Sequence, residues 1–125
     1  MARILVIDDE EMVRLTIRQT LEKVGHTVME AANGREGVDS YKAHGADLVV
    51  TDIIMPEQEG IETLITLRGM NDALPVIAMS GGGRIGTTDY LDIARRFGAV
   101  RVFEKPFNRK EFVLAVNEAL AAAVA

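Results

Sequence analysis

Five short runs of aliphatic and β-branched residues recur along the chain, and a stretch with helical spacing follows each. The runs are Ile4–Ile7, Thr27–Ala31, Asp47–Asp52, Leu74–Ser80 and Val100–Glu104. They repeat at roughly 20 to 27 residues, the length of one strand–helix unit. Strands that alternate with helices form a parallel sheet covered by helices on both faces. The run Leu48-Val49-Val50 is apolar without alternation, as a strand buried on both sides must be.

The helical stretches are punctuated as helices should be. The first is expected from Glu11 to Val24, with Val13, Ile17, Leu21 and Val24 on one face and Gly25 after it. Asn33-Gly34 leads into a second helix through His44, which Gly45 stops. A third is expected over Ile61–Arg68, broken by Gly69 and Asn71-Asp72. A fourth spans Thr88–Phe97 and ends at Gly98. Asn108 caps a last helix that starts at Arg109, buries Phe112, Val113, Val116 and Leu120, and runs into the alanine-rich tail. Met12 and Leu15 point off the buried face of the first helix.

At 125 residues the chain fits one domain with a real core. A net charge of −5 argues against a nucleic-acid surface. There is no cysteine, so thiolate chemistry, zinc–thiolate sites and disulfides are excluded. The N-terminal apolar run, Ile4–Ile7, is too short for a signal peptide's apolar region, and no segment approaches the length of a membrane span. The expected location is cytoplasmic, with neither nucleic acid nor membrane as a partner.

Polar residues collect where the strands end. Asp8-Asp9 follows the first, Asp52 ends the third, Ser80 the fourth, and Lys105 follows the fifth. In an open α/β sheet these carboxyl ends face one crevice. Three carboxylates there repel one another, and an oxygen-preferring cation such as Mg²⁺ relieves them. A lysine and a hydroxyl opposite would complete a site for a phosphoryl group, with a central carboxylate as nucleophile.

The set Asp8-Asp9, Asp52 with Met55-Pro56 and Gly60, Ser80, and Lys105-Pro106-Phe107 resembles the receiver domain of two-component response regulators. The resemblance covers the whole chain. It implies a flavodoxin-like (βα)5 fold with strand order 2-1-3-4-5, in a single receiver domain over residues 1–125 without an effector domain. It also implies that Asp52 accepts a phosphoryl group from a sensor histidine kinase or a histidine phosphotransfer protein. Asp9, Asp52 and the Ile54 carbonyl would bind Mg²⁺, and Asp8 would orient metal-bound water. Lys105 would pair with the phosphoryl oxygens, and Ser80 would move to hydrogen-bond them. That movement would reshape the face formed by the fourth helix, fifth strand and fifth helix for a downstream protein target. Met12, Val13 and Leu15 are the expected kinase contacts.

The chain departs from the family pattern in places. Val102 stands where many receivers have a switch aromatic, and Phe103 beside it reads as core. Tyr90 is a candidate substitute with no sequence pattern behind it. The interval from Ser80 to Lys105 is about three residues longer than usual, and the extra length falls within Gly81–Gly86. It reads as a tolerated surface insertion before the alternative, glycines that let the loop travel further on phosphorylation. Ile54 and Gly82 have no polar side chain to orient an attacking water, so spontaneous dephosphorylation should be slow.

By this reading the protein is not an enzyme beyond its own phosphorylation and dephosphorylation. The alternative is a small Mg²⁺-dependent phosphohydrolase with Asp52 as nucleophile. It lacks the second acid at Ile54 that such enzymes carry, and it has no cap domain. A module that ignores phosphate would not need Asp8, Asp9, Asp52, Ser80 and Lys105 together. His26, His44 and Arg95-Arg96 read as surface residues. Gly81-Gly82-Gly83 lacks the partners of a phosphate-binding loop.

Overall fold

A computed structural model of the chain describes residues 2–53, 59–81, 92, 94–105 and 107–124. The elements in order are β1 (Arg3–Ile7), α1 (Glu11–Lys23), β2 (Thr27–Ala31), α2 (Gly34–His44), β3 (Leu48–Asp52), α3 (Glu59–Met70), β4 (Val76–Gly81), β5 (Arg101–Lys105) and α4 (Arg109–Val124). Asp92 and residues 94–96 are also helical, within the expected fourth helix. The rest of that helix, Tyr90 and the loop from Gly82 to Gly86 lie outside the described residues.

The strands form one parallel sheet in the order β2-β1-β3-β4-β5. Successive side chains of a strand point to opposite faces, and two cores result. On one face Leu5, Ile7, Val49, Val76 and Ala78 pack with Leu64 and Leu67 of α3 and with Val38 and Tyr41 of α2. On the other Ile4, Val6, Val50, Ile77 and Met79 pack with Ile17 and Leu21 of α1 and with Phe112 and Val116 of α4. Helices cover both faces, as the alternation of runs requires. Among the described residues no helix is long and apolar enough to cross a membrane.

Local chemistry explains most of the helix ends. Gly25 (φ 99°) and Gly45 (φ 69°) take the left-handed backbone that turns the chain after α1 and α2. The Asn33 side chain accepts the Glu36 N–H at 2.9 Å and caps α2. Asn108 does the same for Glu111 at 3.1 Å and starts α4.

Several expected boundaries move by one or two residues. β1 starts at Arg3, β3 at Leu48 and α3 at Glu59. β5 spans Arg101–Lys105, so Lys105 ends that strand and does not follow it. Three further shifts have a local cause. Val24 leaves the buried face and is 47% exposed, because α1 closes at Lys23 and the Val24 N–H folds back onto the Leu21 carbonyl. α3 does not break at Gly69 but runs on to Met70, since a lone glycine weakens a helix without forbidding it. β4 starts at Val76, because Leu74 is held in a turn by its N–H bond to the Asn71 carbonyl. In α4, Val113 and Leu120 are only half-buried, while Phe112, Ala115 and Val116 form the buried stripe.

Candidate functional site

The sheet order decides which polar residues meet. β1 and β3 are neighbours, with Ile7 in register with Thr51, so Asp8 and Asp52 emerge side by side. β4 lies between β3 and β5, with Gly81 in register with Lys105. Lys105 must therefore reach past the end of β4, and its long stem does so. Its Nζ donates to Asp8 Oδ2 at 2.7 Å and to Asp52 Oδ2 at 3.0 Å, and it lies 3.7 Å from Glu10 Oε1. Asp8 is 0% and Asp52 3% exposed, so both carboxylates sit out of water. Ser80 is fully buried, one residue beyond Met79, the register partner of Asp52.

Asp8 is held from several sides. Its N–H donates to the Ala31 carbonyl at 3.1 Å, and its Oδ1 accepts the Glu10 N–H at 2.8 Å. Burial pushes its carboxyl above the usual range, against the pull of Lys105 and the Glu10 N–H, and the Asp52 charge adds to the rise. For Lys105, burial works against the charged form. The Asp8 hydrogen bond and the Asp52 charge outweigh it, and the ammonium is held above its ordinary value. The Asp8 rise is thus chiefly a cost of burial, and the Lys105 rise reflects the two carboxylates its ammonium touches.

Asp8, Asp9, Glu10 and Asp52 each bring a carboxylate oxygen to one place, all within 4.8 Å of one another. Asp9 and Glu10 are exposed and Asp8 and Asp52 buried, so the cluster is anchored in protein and open to solvent on one side. An all-oxygen, water-accessible set of this kind suits a hard divalent cation such as Mg²⁺. Ile54, whose carbonyl is the remaining expected ligand, lies outside the described residues, as do Met55, Pro56 and Pro106.

Gly60 has a steric role. A Cβ there would lie 2.5 Å from the Asp52 carbonyl oxygen and 2.7 Å from the Ile53 carbonyl carbon. The first turn of α3 thus rests directly on the backbone that carries Asp52.

Two contributors escape a reading of the residues alone. Glu10 joins the acidic cluster, and its signal was its place in the run Asp8-Asp9-Glu10. Arg14 donates from Nη1 to the Asp8 carbonyl at 2.7 Å and from Nε to Glu30 Oε1 at 3.1 Å. Nothing in helical spacing announces that contact. Phe103 is half-buried against the core, with ring centroids 5.6 Å from Phe112 and 6.0 Å from Phe107. His26, expected at the surface, is half-buried and bridges the Ala2 N–H and the Asn117 side chain. Met12 and Leu15 are 69% and 40% exposed, while Val13 packs against the core.

Residues 4–117 match the model of the response regulator receiver domain. The chain is 35% identical over 119 residues to the chemotaxis protein CheY of Bacillus subtilis, covering 94% of this chain and 97% of that protein. It is 30% identical over 118 residues to sporulation initiation phosphotransferase F of the same organism, covering 94% and 93%. Among solved structures, a response regulator receiver domain protein from Clostridium thermocellum superposes with a TM-score of 0.88 at 30% identity, covering 98% and 96% of the two chains.

Proposed function

The chain belongs to the response regulator receiver domain family, and from that premise we propose that it is a phosphorylated switch whose acceptor is Asp52. The observation that carries this reading is the contact of the Lys105 ammonium with both Asp8 and Asp52 inside one acidic cluster.

A carboxylate oxygen of Asp52 attacks the phosphorus of a phosphohistidine on a sensor kinase or phosphotransfer protein. The P–N bond breaks, the imidazole nitrogen leaves with the electron pair and takes up a proton, and Asp52 becomes an acyl phosphate. Asp8, Asp9 and Asp52, with the Ile54 carbonyl, would hold Mg²⁺, which when bound neutralises charge on the carboxylates and the incoming phosphoryl oxygens. Lys105 shifts its ammonium from the carboxylates to a phosphoryl oxygen, where charge builds up during transfer. The Ser80 hydroxyl donates to another. Moving Ser80 and Lys105 pulls on the ends of β4 and β5 and alters the face made by β5, α4 and the helix before β5. A downstream protein reads that face, or the phosphoryl group passes on to another histidine. Met12 and Leu15 meet the donor protein. Ile54 and Gly82 offer no polar group to a hydrolytic water, so the acyl phosphate is long-lived. The whole sequence acts as one receiver unit in the cytoplasm, and its chemistry is confined to its own phosphorylation and dephosphorylation.

The test is intact mass after incubation with Mg²⁺ and acetyl phosphate. One added phosphoryl group is expected on the wild type. None is expected with EDTA or on Asp52→Asn. A time course of the same adduct after desalting measures its lifetime, and Ile54→Asn should shorten it. Phosphate released catalytically without an adduct would make the protein a phosphohydrolase. The absence of both adduct and turnover would overturn the reading.

A further inference from the structure

Three of the four clustered carboxylates sit on one turn, Asp8-Asp9-Glu10. The Arg14 side chain holds the start of that turn, while its end is held by the first ordinary helical hydrogen bond of α1. The Arg14 amide donates to the Glu10 carbonyl at 3.1 Å, and its Nη1 donates to the Asp8 carbonyl at 2.7 Å. Asp8 stands just beyond β1, so its carbonyl lies past the last residue paired in register with β2. Without the guanidinium this carbonyl would have to find water or move. The guanidinium is itself aimed. Its Nε donates to Glu30 Oε1 at 3.1 Å, while Glu30 Oε2 accepts Arg18 Nη1 at 2.7 Å. Only 15% of the Arg14 side chain is exposed, so its geometry is fixed by packing as well as by charge.

We propose that Arg14, oriented by Glu30, is a positioning residue that fixes the acidic turn in the geometry its carboxylates need to hold a divalent cation. The inference rests on the functional reading above and adds to it a strut from β2 through α1 to the site. Two effects of Arg14 oppose each other. As a cation near the cluster it repels a metal ion, so by charge alone its removal would tighten binding. As a strut it holds the ligands in place, so its removal weakens binding. The strut is expected to win, because outer partners of metal ligands are commonly worth about 10- to 100-fold in affinity.

The experiment titrates Mn²⁺ into the unphosphorylated full-length protein and follows the free ion by electron paramagnetic resonance. Arg14→Met, which keeps the stem and loses the donors, should weaken Mn²⁺ binding about tenfold. Arg14→Lys keeps the charge but cannot span both acceptors, so it should fall between Arg14→Met and wild type. Glu30→Gln should weaken binding less than Arg14→Met, and adding it to Arg14→Met should cost nothing further. Thermal melts establish that each variant is folded at the assay temperature. Should Arg14→Met not be, Arg14→Lys and Glu30→Gln decide. Unchanged or tighter binding in the folded Arg14 variants, with a wild type that binds Mn²⁺ and takes up phosphate, would overturn the strut alone. A wild type that binds no Mn²⁺ would overturn the functional reading and the strut with it.

Discussion

Lys105 holds together two carboxylates that have almost no contact with water, so its loss should be felt in both chemistry and stability. Lys105→Met removes the donor that would meet the phosphoryl oxygens, and phosphorylation by acetyl phosphate should slow by about 100-fold. It also takes away the cation that Asp8 and Asp52 share. Breaking a buried pair costs about 3 to 5 kcal/mol. The loss here should be smaller, about 2 kcal/mol, because Asp8 can take up a proton instead. The sign with pH follows. A carboxyl whose folded pKa is raised gains stability as pH falls through that value. The deficit of the variant, measured by urea unfolding in EDTA, should therefore shrink as the pH is lowered from neutral toward the ordinary carboxylate range. At this scale the sequence was informative where chemistry ends a strand. Asp8, Asp9, Asp52, Ser80 and Lys105 all stand at carboxyl ends that a parallel sheet must bring together. It was silent on Arg14, because helical spacing tells which face a residue lies on and not that its guanidinium folds back onto a carbonyl.

Two glycines of α3 look alike in sequence and differ in what surrounds them. A Cβ at Gly60 would press on the Asp52–Ile53 backbone, whereas one at Gly69 would meet nothing within 4 Å. Helix propensity alone makes both Gly→Ala changes stabilising by about 1 kcal/mol. At Gly69 that gain should appear nearly whole. At Gly60 the neighbour is backbone and cannot swing aside, so overpacking of about 1 to 3 kcal/mol dominates. Gly60→Ala should therefore destabilise by up to about 2 kcal/mol net and also slow phosphorylation, because it displaces the strand end that carries Asp52. Urea midpoints for both variants, with adduct formation beside them, check the pair. A stabilised Gly60→Ala would mean that α3 rests less firmly on β3 than these distances require. Element types and order were readable because apolar period separates strand from helix. The end of α3 was not, since Gly69 stands one residue before it and a glycine lowers helix stability without setting a boundary, while Leu67 two residues earlier is fully buried and keeps the turn in place.

The molecule as a whole is two cores sharing one sheet. Alternation of strands and helices made that layout legible, but alternation does not order the strands; the order 2-1-3-4-5 came from the family resemblance of the strand-end residues. The sharing has a consequence for cooperativity. Ile4 and Val6 face α1 and α4, while Leu5 and Ile7 of the same strand face α2 and α3. Neither core can come apart without exposing the strands that form half of the other. Among the described residues Phe112 is the largest fully buried side chain, stacked on Phe107 with ring centroids 4.7 Å apart. Phe112→Ala should cost about 3 to 5 kcal/mol, a large part of the roughly 5 to 15 kcal/mol that keeps a domain folded. The loss should be spread over both faces. Hydrogen exchange followed residue by residue should show protection falling together in β1, α1 and α4 and in α2 and α3, with a single urea transition. Protection retained around Leu64 and Leu67 while the Phe112 side opens would mean that the two faces unfold separately. A signal that starts at Asp52 would then have less reason to reach α4 through the sheet than through the strand ends, where Lys105 leads by way of Phe107 into the helix.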